Sequence, residues 1–442
     1  MIDVAELFNP VTYVAFSLFL VVVFCCYRLM QKRNYLILIV WPILIYFCGP
    51  ALTMLFADAP VLKKYVFPET VLAETLMFLA YFVALLVADK LFDISSMMRI
   101  SISSPAVRRL THGPAFQIIF GTVVALALFL QIKLLAEFGS LLSGSYVIEE
   151  VAEGLIPYWG FLAGLYEVIF LLFVLFLLSG RHSRRYQSIV IGIYLVTAVL
   201  RAFGGTRLVL INELAVLVII FHLRERVSTR RLVILASAAL LVGSALGFLR
   251  SQDTSNVAFL GPAYGIVMEG GLNALTLNIA YKVQESGFVS ENGDALRTLA
   301  FVALSAIPSF ARFGVTQSDL DALSPYALPV DFGFDTAWPV GSMSGFATLC
   351  YLCSYPILAS VILALTIGLL FRYAPAGNLK RIVILVFSVN AIHFWRDPID
   401  ISTKLVVQGI VCAIVLMCLS SRSQSKCVPG GPPLPRPSGI AA

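Results

Sequence analysis

The chain has 442 residues, of which 59% are hydrophobic and only 13% are charged, whereas soluble domains carry about 25% charged residues. Its mean hydropathy is +0.91. These values exclude a soluble globular core, a disordered chain and a DNA-binding domain. The net charge of +6 therefore indicates membrane topology rather than a nucleic-acid partner.

Apolar runs long enough to cross a bilayer recur along the chain, since about 20 apolar residues span a hydrocarbon core of roughly 30 Å. They predict an all-α polytopic membrane protein. About eleven transmembrane helices are expected, at residues 11–30, 35–56, 70–92, 115–136, 156–179, 187–203, 207–223, 231–249, 345–371, 381–395 and 401–420. Between the sixth and seventh, the pair Gly204-Gly205 flanked by Arg201 and Arg207 favours a tight reversal.

The distribution of lysine and arginine predicts the orientation of the chain. Most of these residues fall in one set of alternating loops, while nearly all the acidic residues fall in the opposite set. Basic loops stay in the cytoplasm. We therefore expect a periplasmic N-terminus and a cytoplasmic C-terminus, which an odd number of spans allows.

Four regions follow from this pattern. Residues 1–249 hold transmembrane helices one to eight, residues 250–344 form one large periplasmic loop, and residues 345–420 hold helices nine to eleven. The loop contains apolar stretches, so short amphipathic helices are expected in it. Residues 421–442 are rich in proline and predict a disordered cytoplasmic tail.

Motifs for nucleotide, hydrolase or metal chemistry are absent from the sequence. There is no Walker loop, GxSxG or HExxH, and the four histidines are not at metal-ligand spacing. No metal or cofactor is therefore expected. Asp319 and Asp321 could hold a cation in a turn, but a solvated acidic turn explains them better.

Arginines at the outer ends of predicted helices are the exceptions to the positive-inside pattern. They are Arg201, Arg207, Arg250, Arg312 and Arg396. Taken alone, each of them is also explained as an arginine whose charged end extends to the membrane interface. Five at one depth would repel each other unless an anion lay between them. Because guanidinium matches phosphate oxygens, they predict a phosphate or diphosphate ligand at the outer leaflet.

Acidic residues inside the predicted spans need a cation or a proton, because an isolated carboxylate at that depth is costly. They are Glu74, Glu167 and Glu213. For Glu213 the nearest cations in sequence are Arg201 and Arg207. Glu213 could form an ion pair that stiffens the helix reversal, or it could have a catalytic role, and the sequence supports both equally. His393 is the one histidine predicted on the outer side, where it serves as a packing residue or in catalysis.

In the order of these residues, the chain resembles the Wzy-type polysaccharide repeat-unit polymerases. Within that family it is most similar to the group that polymerises O-antigen and enterobacterial common antigen. Gly204-Gly-Thr-Arg207 before an apolar helix is similar to that family's GGTR element, and Arg250 closes the next span as a family arginine does. The stretch 332–345 resembles the family's segment at the end of the external loop. Arg396-Asp397 resembles its late periplasmic Arg-acid element. The similarity covers most of residues 190–410.

The resemblance implies a metal-independent glycosyltransferase of the bacterial inner membrane, with its active site facing the periplasm. It would transfer the growing glycan from undecaprenyl diphosphate onto the next lipid-linked repeat unit. The expected partners are lipid-linked oligosaccharides, membrane lipids and a copolymerase that regulates chain length, and no nucleic acid. Arg207, Arg250 and Arg396 would stabilise the leaving diphosphate, with Arg201 and Arg312 assisting substrate binding.

The residues leave open which group acts as general base. Asp335, Asp397, Glu213 and His393 are the candidates. Aromatic residues in the large loop are expected to stack on sugar faces, although an interfacial aromatic belt accounts for them equally well. They are Tyr326, Phe332, Phe334 and Trp338.

Three other functions remain open. An O-antigen ligase would share the topology and use a different acceptor. A lipid-linked oligosaccharide flippase or other transporter would need a central cationic cavity that opens to both faces. The clustering of the cations at one depth disfavours it, as does the lack of a matching pair of glycine- or proline-broken spans in two halves of the chain. An assembly scaffold would contain no reactive site.

Overall fold

A computed structural model shows an all-α chain with several helices suited to a membrane. Among the residues it describes there is no strand. Those residues are 9–47, 49, 68–104, 110–111, 114–138, 159–179, 182–203, 207–225, 227–231, 234, 237, 264–285, 295–307, 314–324, 344–374, 377–397 and 399–425. Six of the described helices are long and apolar enough to cross a membrane: Pro10–Gln31, Thr70–Phe92, Pro114–Leu134, Phe161–Ser179, Pro356–Tyr373 and Ile399–Leu419. The prediction of an all-α multi-pass membrane protein is thus confirmed at this level.

The helices used below are numbered in chain order. They are α1 (Pro10–Gln31), α2 (Ile37–Val40), α3 (Ile43–Tyr46), α4 (Pro68–Phe92), α5 (Ile94–Ser103), α6 (Pro114–Phe138), α7 (Trp159–Ser179), α8 (Arg184–Phe203), α9 (Arg207–Leu223), α10 (Tyr264–Glu285), α11 (Ala295–Ala306), α12 (Gln317–Leu323), α13 (Gly345–Leu352), α14 (Pro356–Tyr373), α15 (Asn378–Val389), α16 (Ala391–Arg396) and α17 (Ile399–Ser425).

Prolines mark where several helices begin. Pro10, Pro68, Pro114 and Pro356 are each the first residue of a helix, a position at which the missing N–H group costs nothing. At α1 the cap is completed by Asn9, whose side chain accepts a hydrogen bond from the Val11 N–H at 3.0 Å. These local signals set the helix starts, while the apolar side chains between them set the packing.

Two predicted spans differ from the structure because each is interrupted. In the predicted span at 35–56, α2 and α3 continue through Trp41-Pro42, whose φ and ψ stay helical, and form the apolar helix Ile37–Tyr46; residues 48 and 50–67 lie outside the described part. The span at 345–371 divides into α13 and α14. The span at 381–395 divides into α15 and α16 at Asn390, whose φ and ψ are −93° and 6°.

The break between α13 and α14 has a local cause. Cys353 ends α13 in an extended conformation, with φ −153° and ψ 150°. Pro356 then starts the next helix, and a residue before proline is kept out of the helical region. Cys350 therefore lies inside α13, and Cys353 lies at its end.

The predicted loop at 250–344 contains more than short surface helices. The helices α11 and α12 are short, as expected, but α10 has 22 residues. Its buried side chains include Leu277, Ile279 and Val283, and it packs against α13 and α4. This part of the loop therefore belongs to the packed helical body.

An aromatic cluster joins the two short helices α13 and α16 to α4. Phe346 of α13 lies with its ring centroid 4.7 Å from that of Trp395 and 4.8 Å from that of Phe394, both on α16. Phe78 and Tyr81 of α4 contact Phe346 edge-on, at 4.9 and 5.1 Å, the arrangement that aromatic quadrupoles favour. The cluster holds α16 in place, and α16 carries His393 and Arg396.

Gly345 allows α13 and α16 to approach closely. A Cβ added there would overlap the Phe394 ring and lie 2.8 Å from the Phe394 backbone oxygen. Because a backbone atom cannot move aside easily, we expect Gly345→Ala to destabilise the protein by about 1–3 kcal/mol. Gly192→Ala is the control, since nothing lies within 4 Å of its added Cβ. Thermal unfolding in detergent should show a lower Tm for the first variant only. Equal Tm values would contradict this close approach.

Candidate functional site

A connected set of buried charged side chains lies where α7, α8, α9 and α16 meet. Arg201 of α8 is at its centre. One guanidinium nitrogen of Arg201 lies 2.5 Å from Glu167 Oε1, and the other lies 2.7 Å from Glu213 Oε1. Arg201 is 5% exposed, and both glutamates are buried as well. The predicted pairing of Glu213 with a nearby arginine is confirmed for Arg201.

His393 extends this network to α16 and its end. Its Nε2 lies 3.2 Å from Glu167 Oε2, and its Nδ1 lies 2.6 Å from Asp397 Oδ2. A neutral imidazole donates from one nitrogen only. An imidazole with a carboxylate at each nitrogen is therefore best satisfied as the doubly protonated imidazolium. Glu167 is the bridge, with one oxygen on Arg201 and the other on His393.

Side-chain packing fixes the orientation of the network. Tyr194 lies two helical turns before Arg201 on α8 and donates a hydrogen bond to Glu213 Oε2 at 2.5 Å. Phe173 stacks on Tyr194 with centroids 3.8 Å apart. The guanidinium carbon of Arg201 lies 5.2 Å from the centroid of the Tyr166 ring, within cation–π range.

The charges of the network are nearly balanced. Arg201 and His393 supply two positive charges against three carboxyl groups, those of Glu167, Glu213 and Asp397. Buried ions are tolerated when they are paired and hydrogen-bonded, and removing one partner is costly. The set can therefore act as one unit, and it can hold an additional proton on a carboxyl group.

Asn212 is a second buried polar residue of α9. It precedes Glu213 and is 2% exposed, and neither atom of its amide has a hydrogen-bond partner among the described residues. Buried amides are normally paired. Because consecutive residues on a helix point in different directions, its place in sequence does not make it part of the Arg201 network.

The four candidate general bases differ in how many of their oxygen or nitrogen atoms already have a partner. Both Glu213 oxygens and both His393 nitrogens have partners. Asp397 uses only Oδ2, for His393, and no hydrogen bond to Oδ1 is found in the described part of the chain. Asp335 lies outside that part. Among these four candidates, Asp397 is therefore the described residue with a carboxyl oxygen left to accept a substrate proton.

The structure brings four predicted site residues together: Arg201, Glu213, His393 and Asp397. Arg396 lies next to them on α16 and is half-buried. Arg207 is the first residue of α9, and its side chain is outside the description. The remaining predicted site residues also lie outside the described part of the chain: Arg250, Arg312, Tyr326, Phe332, Phe334, Asp335 and Trp338.

Two members of the network were not among the predicted site residues. Glu167 had a signal in the sequence, since a carboxyl group in the middle of a span requires a partner. Tyr194 had none, because a tyrosine in an apolar helix is common. Arg201, predicted to assist substrate binding, contacts two carboxylates in the structure.

Asp319 has a structural role at the start of α12. The Thr316 backbone N–H and hydroxyl donate to Asp319 Oδ2 at 2.7 and 2.6 Å, and the Asp319 N–H donates to the Thr316 hydroxyl oxygen at 3.2 Å. This is a capping box. The hydrogen bonds from Thr316 lower the pKa of Asp319. The described residues contain no group of three or more His, Cys, Asp or Glu side chains that could hold a metal ion.

Comparison with known proteins leaves the chain without an assigned family. No protein-family model matches it, and neither a curated protein nor a solved structure does.

Proposed function

We propose that this chain is a multi-pass membrane glycosyltransferase that polymerises lipid-linked glycan repeat units, at the periplasmic face of a bacterial inner membrane. The proposal combines the helical membrane architecture, the sequence resemblance and the buried charge network. It includes the topology expected from the sequence, with eleven spans, a periplasmic N-terminus and a cytoplasmic C-terminus.

One observation carries the proposal. Two sequence elements of the resemblance, Gly204–Arg207 and Arg396-Asp397, are almost 190 residues apart in the chain. Residues flanking the first, Arg201 and Glu213, belong to the same contact network as Asp397 of the second, through Glu167 and His393. Such convergence of charged groups inside a membrane protein is typical of a functional site.

The reaction would proceed by direct displacement at the donor sugar. The acceptor hydroxyl oxygen forms a bond to the anomeric carbon of the growing glycan, and the bond from that carbon to the diphosphate oxygen breaks. Asp397 Oδ1 takes the hydroxyl proton. The electron pair leaves with undecaprenyl diphosphate, whose charge Arg207, Arg250 and Arg396 stabilise.

Arg201 and His393 act as positioning residues in this scheme. His393 holds Asp397 through the 2.6 Å contact, and Glu167 holds His393 while its other oxygen binds Arg201. The orientation of the base thus depends on His393 of the adjoining helix α16 and on side chains from two further helices, α7 and α8. The pathway and the copolymerase partner are carried over from the resemblance.

A gel of surface polysaccharide tests this function in cells. A strain lacking the gene should show single repeat units on its lipid core, and the wild-type gene should restore a ladder of longer chains. At equal protein level, Arg207→Ala should leave single units, whereas Arg184→Ala, an exposed arginine at the start of α8, should restore the ladder. An intact ladder in the deletion strain would remove the polymerase proposal.

A proton-coupled transporter of lipid-linked oligosaccharides is the second candidate. The observation that favours it is the pair of interrupted spans, α13–α14 and α15–α16, because transporters often build their sites from discontinuous helices. Loss of even the single-unit band in the deletion strain would support this candidate or a ligase over the polymerase.

A further inference from the structure

Glu74 of α4 is a buried carboxyl group that has no ionic partner among the residues described. It is 0% exposed. Neither of its carboxyl oxygens has a hydrogen-bond partner among the described residues. Glu167 and Glu213 are buried to a similar degree, but each binds the guanidinium of Arg201. Glu74 therefore needs another means to balance its charge.

Among the described residues, the groups that interact electrostatically with Glu74 are Tyr281 of α10 and Cys350 of α13. A phenol and a thiol are uncharged in their ordinary protonated forms, so these two groups provide no positive charge. On α4 itself, Met77 is one turn away and accepts a weak hydrogen bond from the Tyr281 hydroxyl at 3.8 Å. Thr75 donates to the Val71 carbonyl oxygen.

Tyr281 also connects this position to the protein surface. It lines an open cavity of about 510 Å³ between α10 and the break from α13 to α14, together with Gln284, Ser354 and Tyr355. Glu74 itself is not among the residues that line this cavity.

We propose that Glu74 is a proton-binding site inside the helical body, separate from the Arg201 network, and that it holds its proton as a neutral carboxylic acid. An ionised carboxylate without a partner is strongly disfavoured when it is removed from water. Binding a proton removes that charge without a cation. The proposal does not depend on the proposed glycosyltransferase activity.

Labelling with dicyclohexylcarbodiimide tests this assignment on the full-length protein in detergent. The reagent reacts with a protonated carboxylic acid in an apolar environment. The acid proton moves to a carbodiimide nitrogen while the carboxyl oxygen bonds to the central carbon, and the adduct rearranges to a stable acylurea. We expect mass spectrometry to locate the adduct at Glu74. The adduct should be lost in Glu74→Gln, a neutral variant of nearly the same shape.

Glu167 is the internal comparison, because it is equally buried but ion-paired, so it should remain unlabelled. Infrared spectra give a second readout that needs no reagent access: the carbonyl band of a protonated acid should weaken in Glu74→Gln. Unlabelled Glu74 together with an unchanged carbonyl band would overturn the proposal. Protection of Glu74 from the reagent by Na⁺ would also overturn it, since the site would then bind a metal cation.

Discussion

Replacement of Arg201 with methionine is expected to lower the stability of the protein more than any other single change in the network. The variant would leave Glu213 buried without its cation, and it would leave Glu167 with His393 as its one remaining cationic partner. Breaking a buried ion pair by removing one partner costs about 3–5 kcal/mol. Thermal unfolding of the purified protein in detergent should show a large drop in Tm and a lower yield of folded protein.

Two controls separate this effect from a general loss of charge. Arg184→Met removes an exposed arginine from the same helix and should leave the Tm unchanged. Adding Glu167→Gln and Glu213→Gln to Arg201→Met removes the unpaired charges and should recover part of the lost stability. A Tm equal to that of the wild type in the single Arg201→Met variant would contradict the buried network.

Replacement of Asp397 with asparagine is expected to have the largest effect on activity with little effect on folding. Asparagine keeps the size of the side chain and an oxygen that can accept the hydrogen bond from His393 Nδ1. It cannot take a proton from the acceptor hydroxyl. Loss of a general base lowers a rate by about 10²–10⁴-fold, so we expect kcat to fall with little change in KM.

The measurement is the rate of chain extension by purified protein, with the Tm recorded for each variant. Glu137→Gln is the control, because Glu137 is an exposed carboxyl group on α6 that pairs with Lys133 at 3.6 Å. An Asp397→Asn enzyme with the wild-type rate would exclude Asp397 as the base.

The sequence was a good guide to the long helices and a poor one to their interruptions. Hydropathy reports how apolar a segment is, and six long apolar helices lie within the predicted spans or nearly coincide with them. Hydropathy does not report backbone conformation, so it predicts residues 345–371 as one uninterrupted span. Pro356 was the visible signal at the break, but membrane helices also tolerate proline in their interior. Asn390, at the break between α15 and α16, gave no clear signal.

The contacts of the candidate site were also predictable from the sequence only in part. The contact between Arg201 and Glu213 joins two helices that are only three residues apart in the chain, so proximity in sequence made Arg201, together with Arg207, a candidate partner. The contacts of Glu167 with Arg201 and His393 join residues 34 and more than 200 positions apart. Such contacts arise from how α7, α8 and α16 pack, which periodicity and composition do not encode.

The proposed polymerase activity can be tested most directly with purified components. Lipid-linked repeat units extracted from the deletion strain would be added to the wild-type protein in liposomes, and the products separated by size. We predict a ladder of glycans that grows by one repeat unit per step on undecaprenyl diphosphate, and single units only with Asp397→Asn. A wild-type protein that is folded, as judged by its Tm, yet leaves the repeat units unjoined would contradict this function.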